Sequence, residues 1–399
     1  MGCDGSWDMN DDLLERLRET PGAGELFDAL EDVPGVWIVG GAVRDALLGR
    51  DPRDLDLVVE GDAAEVARRL GEEPLLHQRF GTATANGVVN LAAARRERYE
   101  QPGALPEVEL GAPIAEDLAR RDFTVNAIAV RLADGELQAA PDALDDLAAR
   151  RLRVLHDGSF LDDPTRLLRL VRYAARLRFQ IEQVTRGLAF AAVEGGALTT
   201  VTPSRLGNEL RLLLEEPQPA AVCGLEAFGI GPQMLPGFNV DPDLVERAQR
   251  LTPADGRPDL VALAATCLDA SAPDLAGRLD ACEFPARERD TVTAAATRAR
   301  ALAPVLGGLE DASAIWALLR REGAETVALA GALGAPEQAK RWLDDLRHAK
   351  LAITGDDLLA AGLEGPAIGR GLDAATAAML DGAAGRDAQL AAALAAPPQ

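Results

Sequence analysis

Apolar and polar positions split the chain into two regimes. Up to about residue 150, short β-type runs alternate with short helical ones; beyond it the sequence is rich in Ala, Leu and Arg with almost no β-branched alternation. Residues 11–32 have the spacing of one polar amphipathic helix, and VWIV (36–39) is a short buried-strand run that Gly40-Gly41 ends. VRDALLG (43–49) predicts a helix closed by Gly49. DLDLVV (54–59) predicts a second strand, 62–71 a helix, and 82–94 further strand pieces. Residues 102–110 read as a loop, helix dominates from about 115, and Phe123–Val130 is an apolar run suited to a core. Breaks near 195–203 and 236–238 punctuate the helical part, and no repeat of fixed period stands out. The pattern is that of an α/β head followed by an all-helical body.

Within the strand 54–59, Asp54 and Asp56 project to one side while Leu55 and Leu57 face the other. Two carboxylates held so close repel unless a cation compensates them, and hard divalent cations with oxygen ligands do so. A pair of surface aspartates at a strand edge is the alternative, and the short motif alone does not decide. Its context adds weight. Upstream, a strand leads through Gly40 and Gly41 into a helix, an arrangement in which backbone approaches a phosphate closely, and Arg44 can add charge-assisted contacts. Phosphate cradle and metal carboxylates on adjacent elements are the logic of nucleotidyl transfer.

The chain has 399 residues, enough for two or three domains, and a net charge of −23, which argues against indiscriminate coating of nucleic acid. Arginines 150, 151, 153, 166, 169, 172, 176 and 178 nevertheless cluster against only Asp157, Asp162 and Asp163, a local basic stripe suited to one defined polyanion or, equally, to a solvated helix face. Cys3, Cys223, Cys267 and Cys282 show no paired spacing, which suits a reduced cytoplasmic protein. No run approaches a membrane span. MGCDGS fits a myristoylation pattern, but its acidic surroundings make a poor anchor. Three histidines, His77, His156 and His348, do not make the ligand set of a metal-dependent phosphohydrolase domain, and no His/Cys spacing suits zinc.

Gly40-Gly41-Ala42-Val43-Arg44-Asp45 followed by Asp54-Leu55-Asp56 resembles the signature of the bacterial class II tRNA nucleotidyltransferase and poly(A) polymerase family, within the polymerase-β-like superfamily. In the same order, 94–106 resembles that family's Arg-rich strand and loop, 120–130 its second motif, 162–179 its nucleotide-selecting motif, and 204–217 and 353–369 parts of its helical body. The resemblance runs from about residue 35 to 372. It implies a mixed-sheet, polymerase-β-like α/β head followed by an all-α neck, body and tail. The corresponding division is an N-terminal helical extension (1–34), a head (35–150), a neck (151–216) and an RNA-binding body and tail (217–399).

The resemblance also implies roles. Asp54 and Asp56 would be catalytic and hold Mg²⁺; Gly40, Gly41, Arg44, Arg121, Asp122, Asn126, Arg169 and Arg172 would surround the nucleotide. Asp163 and Arg166, three apart and expected on one helix face, would read the base edge of CTP or ATP in place of a template. Arg176 and Arg178 would meet RNA. The expected partners are the tRNA 3′ end, CTP and ATP, with neither DNA nor membrane, and the expected reaction is CCA addition or repair. A poly(A) polymerase, a CC-only or A-only enzyme, or a weakly active RNA-binding paralogue would share these motifs. Two positions depart from the family pattern: Asn90 stands where a third acid is usual, and Ala139-Ala140-Pro141-Asp142-Ala143 replaces a segment resembling Asp-Pro-x-Gly-Gly.

Overall fold

Strand β1 (Val36–Val39), buried at every position, is the strand around which the N-terminal half is built in the computed structural model. The structure describes residues 9–52, 55–70, 75–77, 82–85 and 89–396. The chain divides into two compact units at Thr202/Pro203.

In the first unit, two helices precede β1: α1 (Met9–Arg18) and α2 (Ala23–Leu30). The expected single helix over 11–32 is broken at Pro21-Gly22, where Gly22 adopts φ +82, a left-handed conformation that no α-helix interior accepts. After β1 come α3 (Gly41–Leu47), β2 (Asp56–Val59) and α4 (Ala63–Arg69). Next are β3 (Leu75–His77), β4 (Thr82–Ala85) and β5 (Val89–Ala93), then β6 (Arg95–Arg98) and β7 (Glu107–Leu110). The second half of the expected loop 102–110 is thus a strand: β7 pairs antiparallel with β6, from Arg95↔Leu110 to Arg98↔Glu107, because its partner supplies the ladder that the polar sequence does not advertise. Helix α5 (Ile114–Ala119) leads through a 3₁₀ turn at Thr124–Asn126 into β8 (Ile128–Arg131) and β9 (Leu137–Ala139). Helix therefore does not yet dominate at 115. The apolar run 123–130 is core, as expected, and its end completes the sheet. Then follow α6 (Ala143–Ala148), β10 (Arg151–Leu152), α7 (Ser159–Asp162), α8 (Thr165–Leu177), β11 (Gln180–Ile181) and α9 (Gln183–Glu194).

The seven-stranded sheet has the order β3-β4-β5-β2-β1-β8-β9 and is mixed: β2 runs parallel to β5, and the other neighbours are antiparallel. One core cluster joins Trp37, Val39, Val58, Ile114, Leu118 and Ala129. Glu60 satisfies the polar groups this burial strands, accepting from Trp37 Nε1 at 3.0 Å and from the Ile114 amide at 2.7 Å.

The second unit is helical, from α10 (Pro203–Leu214) to the helix Arg386–Leu394. No described helix is long and apolar enough to cross a membrane. Gly207 on α10 lies against the end of the helix Ala272–Ala281: a Cβ there would stand 2.0 Å from the Cys282 carbonyl oxygen. That contact is backbone and has no rotamer to change. Gly207→Ala is expected to destabilise this unit by about 1–3 kcal/mol, read as a lower denaturant midpoint at unchanged slope.

Candidate active site

The register of the sheet sets the site. Val39 pairs with Asp56 and Asp56 with Asn90, so the three lie in one row across β1, β2 and β5, with adjacent strands about 4.8 Å apart. Asp56 is exposed, whereas Leu55 and Leu57 are buried, as the alternation of the strand requires. Asp54 lies outside the described residues. The carboxylate-bearing end of β2 thus sits beside the residue that immediately precedes Gly40-Gly41. Among the described residues no group of three or more His, Cys, Asp or Glu is arranged to hold a metal. An exposed carboxylate suits a shared shell of protein and phosphate oxygens better than a closed protein cage.

Gly40 has φ +71, and a Cβ there would come within 2.9 Å of Arg121 Nη1. The backbone conformation calls for glycine. The Gly40 amide donates to the Ile128 carbonyl at 3.0 Å, which ties the turn to β8.

Arg44, one turn into α3, is 2% exposed. Its Nε donates to Asp45 at 2.9 Å and its Nη1 to Asn126 Oδ1 at 2.6 Å. Asn126 Nδ2 in turn donates to Asp122 Oδ1 at 3.0 Å, and Asp122 Oδ2 accepts Nε and Nη2 of Arg169 at 2.9 and 2.5 Å. These four residues, expected around one nucleotide from motifs far apart in sequence, form one continuous chain of hydrogen bonds. Burial by itself would raise the Asp122 carboxyl; the Arg169 charge and hydrogen bonds from Asn126, Arg169 and the Phe123 amide outweigh it and hold the group down at about 2.

A second polar cluster lies beside the first. Asp117, wholly buried, accepts Nε and Nη2 of Arg120 at 2.9 and 2.7 Å and Nη2 of Arg121 at 3.1 Å. Arg120 Nη1 also reaches Glu97 on β6 at 2.9 Å, and Tyr99 donates its hydroxyl to the same carboxylate at 3.0 Å. Burial and the Glu97 charge push the Tyr99 hydroxyl well above the ordinary phenol range. Burial lowers the Arg121 guanidinium against the pull of Asp117, and its buried Nε has no hydrogen-bond partner among the described residues. Asp117, Glu97, Tyr99 and Ser159 escaped the reading of the sequence; a carboxylate four residues before Arg121 was the available signal for the first.

Asp163 and Arg166 do not share a helix face. Asp163 has extended backbone (φ −133, ψ 93) ahead of α8, because the residue before a proline, here Pro164, is kept from the helical region. Its Oδ1 accepts from the Thr165 amide at 3.1 Å and the Thr165 hydroxyl at 2.7 Å. Arg166 is buried and donates from Nη1 to Ser159 Oγ and from Nη2 to the Arg120 carbonyl, each at 2.7 Å. Arg172 lies over the Tyr173 ring, 5.2 Å from its centroid. Arg176 and Arg178 are exposed, and Arg178 ends α8 at φ +58. In the departed segment, Asp142 takes φ +63, a conformation that aspartate tolerates better than most residues, so the turn survives the loss of glycine. In the loop after β6, Gly103 donates its amide to the Leu161 carbonyl at 3.0 Å.

Residues 36–153 match the poly A polymerase head domain. The chain is 44% identical over 226 residues to the A-adding tRNA nucleotidyltransferase of Halalkalibacterium halodurans, covering 53% of this chain and 52% of that protein. It is 36% identical over 357 residues to the CC-adding tRNA nucleotidyltransferase of Deinococcus radiodurans, covering 84% and 82%. It spans about half the length of the first relative and only 26% of the A-adding enzyme of Geobacter sulfurreducens. Its fold superposes on the Thermotoga maritima CCA-adding enzyme complexed with tRNA with a TM-score of 0.78, at 28% identity over 96% of this chain and 98% of that one.

The Asp122 interaction carries a stability signature. A carboxyl held at about 2 against an ordinary 3.8 stabilises the fold above 3.8, and that contribution is lost as the pH falls from 3.8 through 2. Asp122→Asn is expected to cost about 2 kcal/mol at neutral pH and to flatten the acid limb of the stability–pH curve, measured by urea unfolding between about pH 5 and 2.5.

Proposed function

This chain belongs to the tRNA nucleotidyltransferase family, and on that premise we propose that it adds CMP and AMP from CTP and ATP to the tRNA 3′ end. The observation that carries the proposal is the row Val39–Asp56–Asn90, which sets an exposed carboxylate beside the glycine turn. In this reading the Gly40-Gly41 backbone, Arg121, Arg169 and Arg172 surround the triphosphate, with Arg44, Asn126 and Asp122 holding that wall in place. Asp54 and Asp56 would hold Mg²⁺, which would supply charge neutralisation at the α-phosphate and a more acidic 3′-hydroxyl. The tRNA 3′-oxygen forms a bond to that phosphorus, pyrophosphate leaves, and the hydroxyl proton passes to solvent.

Arg166 is anchored on Ser159 and the Arg120 carbonyl, so its guanidinium plane is set before a nucleotide arrives; with Asp163 one residue ahead of Pro164, it is the pair that reads the base edge. Exposed Arg176 and Arg178 meet RNA phosphates. The functional division is a helical extension over 1–34, head over 35–150, neck over 151–216 and RNA-binding body and tail over 217–399, in a reduced cytoplasmic setting.

A second reading, addition of only CC or only A, is favoured by the Halalkalibacterium halodurans and Deinococcus radiodurans relatives, which are named for A addition and CC addition. Transcripts ending before CCA, at CC, or complete, incubated with Mg²⁺ and CTP or ATP separately, distinguish them. Addition of both nucleotides supports the first reading, of one alone the second, and of none overturns both. Asp54→Ala and Asp56→Ala are each expected to lower incorporation by three or more orders of magnitude while tRNA retention in a filter assay persists. Unchanged turnover in either would remove the metal assignment. Arg166→Ala is expected to cut the preference between CTP and ATP by about tenfold or more, since a lost bidentate contact is worth about 1–3 kcal/mol of discrimination; an intact preference would remove its selecting role.

A further inference from the structure

Three arginines converge on one ring. The Tyr173 centroid lies 5.6 Å from Cζ of Arg44, 5.7 Å from that of Arg169 and 5.2 Å from that of Arg172. Arg44 comes from α3, directly after the glycine turn, while Arg169 and Arg172 come from α8, so the ring joins two elements. The ring is itself fixed: it meets Phe123 edge-on, with centroids 5.8 Å apart and planes at 81°, and Phe123 is wholly buried in the core. Tyr173 meets these groups through its ring.

We propose that Tyr173 is a positioning residue for the triphosphate, holding Arg44, Arg169 and Arg172 as one fan through its π-face. The inference rests on the reading that Arg169 and Arg172 face the nucleotide phosphates while buried Arg44 backs that wall. Three guanidiniums brought together repel; Asp45 and Asp122 offset part of that for Arg44 and Arg169, and an aromatic quadrupole attracts each cation without adding a further anion that would compete with a polyanion. A leucine at 173 would fill similar space against Phe123 and supply none of that attraction.

Phenylalanines of stepwise fluorination, introduced at position 173, test this because fluorine drains the ring's electron density with little change in its size. Tyr173→Phe is expected to keep KM for CTP and ATP within about twofold of wild type, since the ring is what meets the arginines. Successive fluorines are expected to raise that KM in steps, to about tenfold at three, and Tyr173→Leu to raise it about tenfold or more, the size expected when cation–π contacts are lost. Throughout the series kcat and the KM for tRNA should change less than about twofold. A flat series with wild-type incorporation overturns the role of the ring and leaves the proposed function standing. A Phe variant as defective as Leu assigns the effect to the hydroxyl and overturns it too. A wild-type protein that extends no tRNA overturns the reading beneath both. Should Tyr173→Leu fail to fold, the fluorinated series, which keeps the ring, decides alone.

Discussion

A buried carboxylate shared between the 3₁₀ turn and α8 fixes the candidate site. Asp122 sits in a region closed to water, where a lone charge would be costly, so its burial is tolerable only while Arg169 and Asn126 stay in place. That requirement works in both directions. Arg169 cannot leave α8's position without stranding Asp122, and Asn126 cannot turn without releasing Arg44. The glycine turn, the 3₁₀ turn and α8 are thereby locked by the same desolvation penalty, not by three separate ones.

The neighbouring cluster around Asp117 extends that logic to the β6–β7 hairpin and to α7. Arg120 bridges Asp117 and Glu97 with its side chain and receives Arg166 on its carbonyl. Arg120 thus orients the arginine proposed to select the base. Partly satisfied polar networks are costly, and a buried donor without a partner among the described residues, Arg121 Nε, lies on the guanidinium beside Gly40.

Much of the site was legible because its residues are constrained locally. Gly40, the alternation of Asp56 with Leu55 and Leu57, and the apolar run at 123–130 each follow from backbone sterics or burial, which act over a few residues. What depended on distant partners was not legible. The polar strand β7 exists because β6 pairs with it, and Asp117 is important because arginines from other elements reach it. The proline between Asp163 and Arg166 was visible, yet the i,i+3 spacing outweighed it in the reading, although a proline's effect on the preceding residue is the stronger local rule. The arginine-rich stretch 150–178 misled in part. Arg153, Arg166 and Arg169 are engaged internally, by Asp146, by Ser159 with the Arg120 carbonyl, and by Asp122, so the stripe that faces solvent is narrower than its composition suggests.

The row that sets Asp56 beside Val39 and Asn90 also has a consequence in time. Its antiparallel half joins β1 to β2 across α3, β2 and β5 run parallel and need a crossover, and Arg169, which pairs with Asp122, lies far downstream. Contacts of such long sequence separation form late in folding. A chain still emerging from the ribosome therefore carries every signature residue of its first motif without an assembled site, and becomes competent only once α8 has been synthesised and docked.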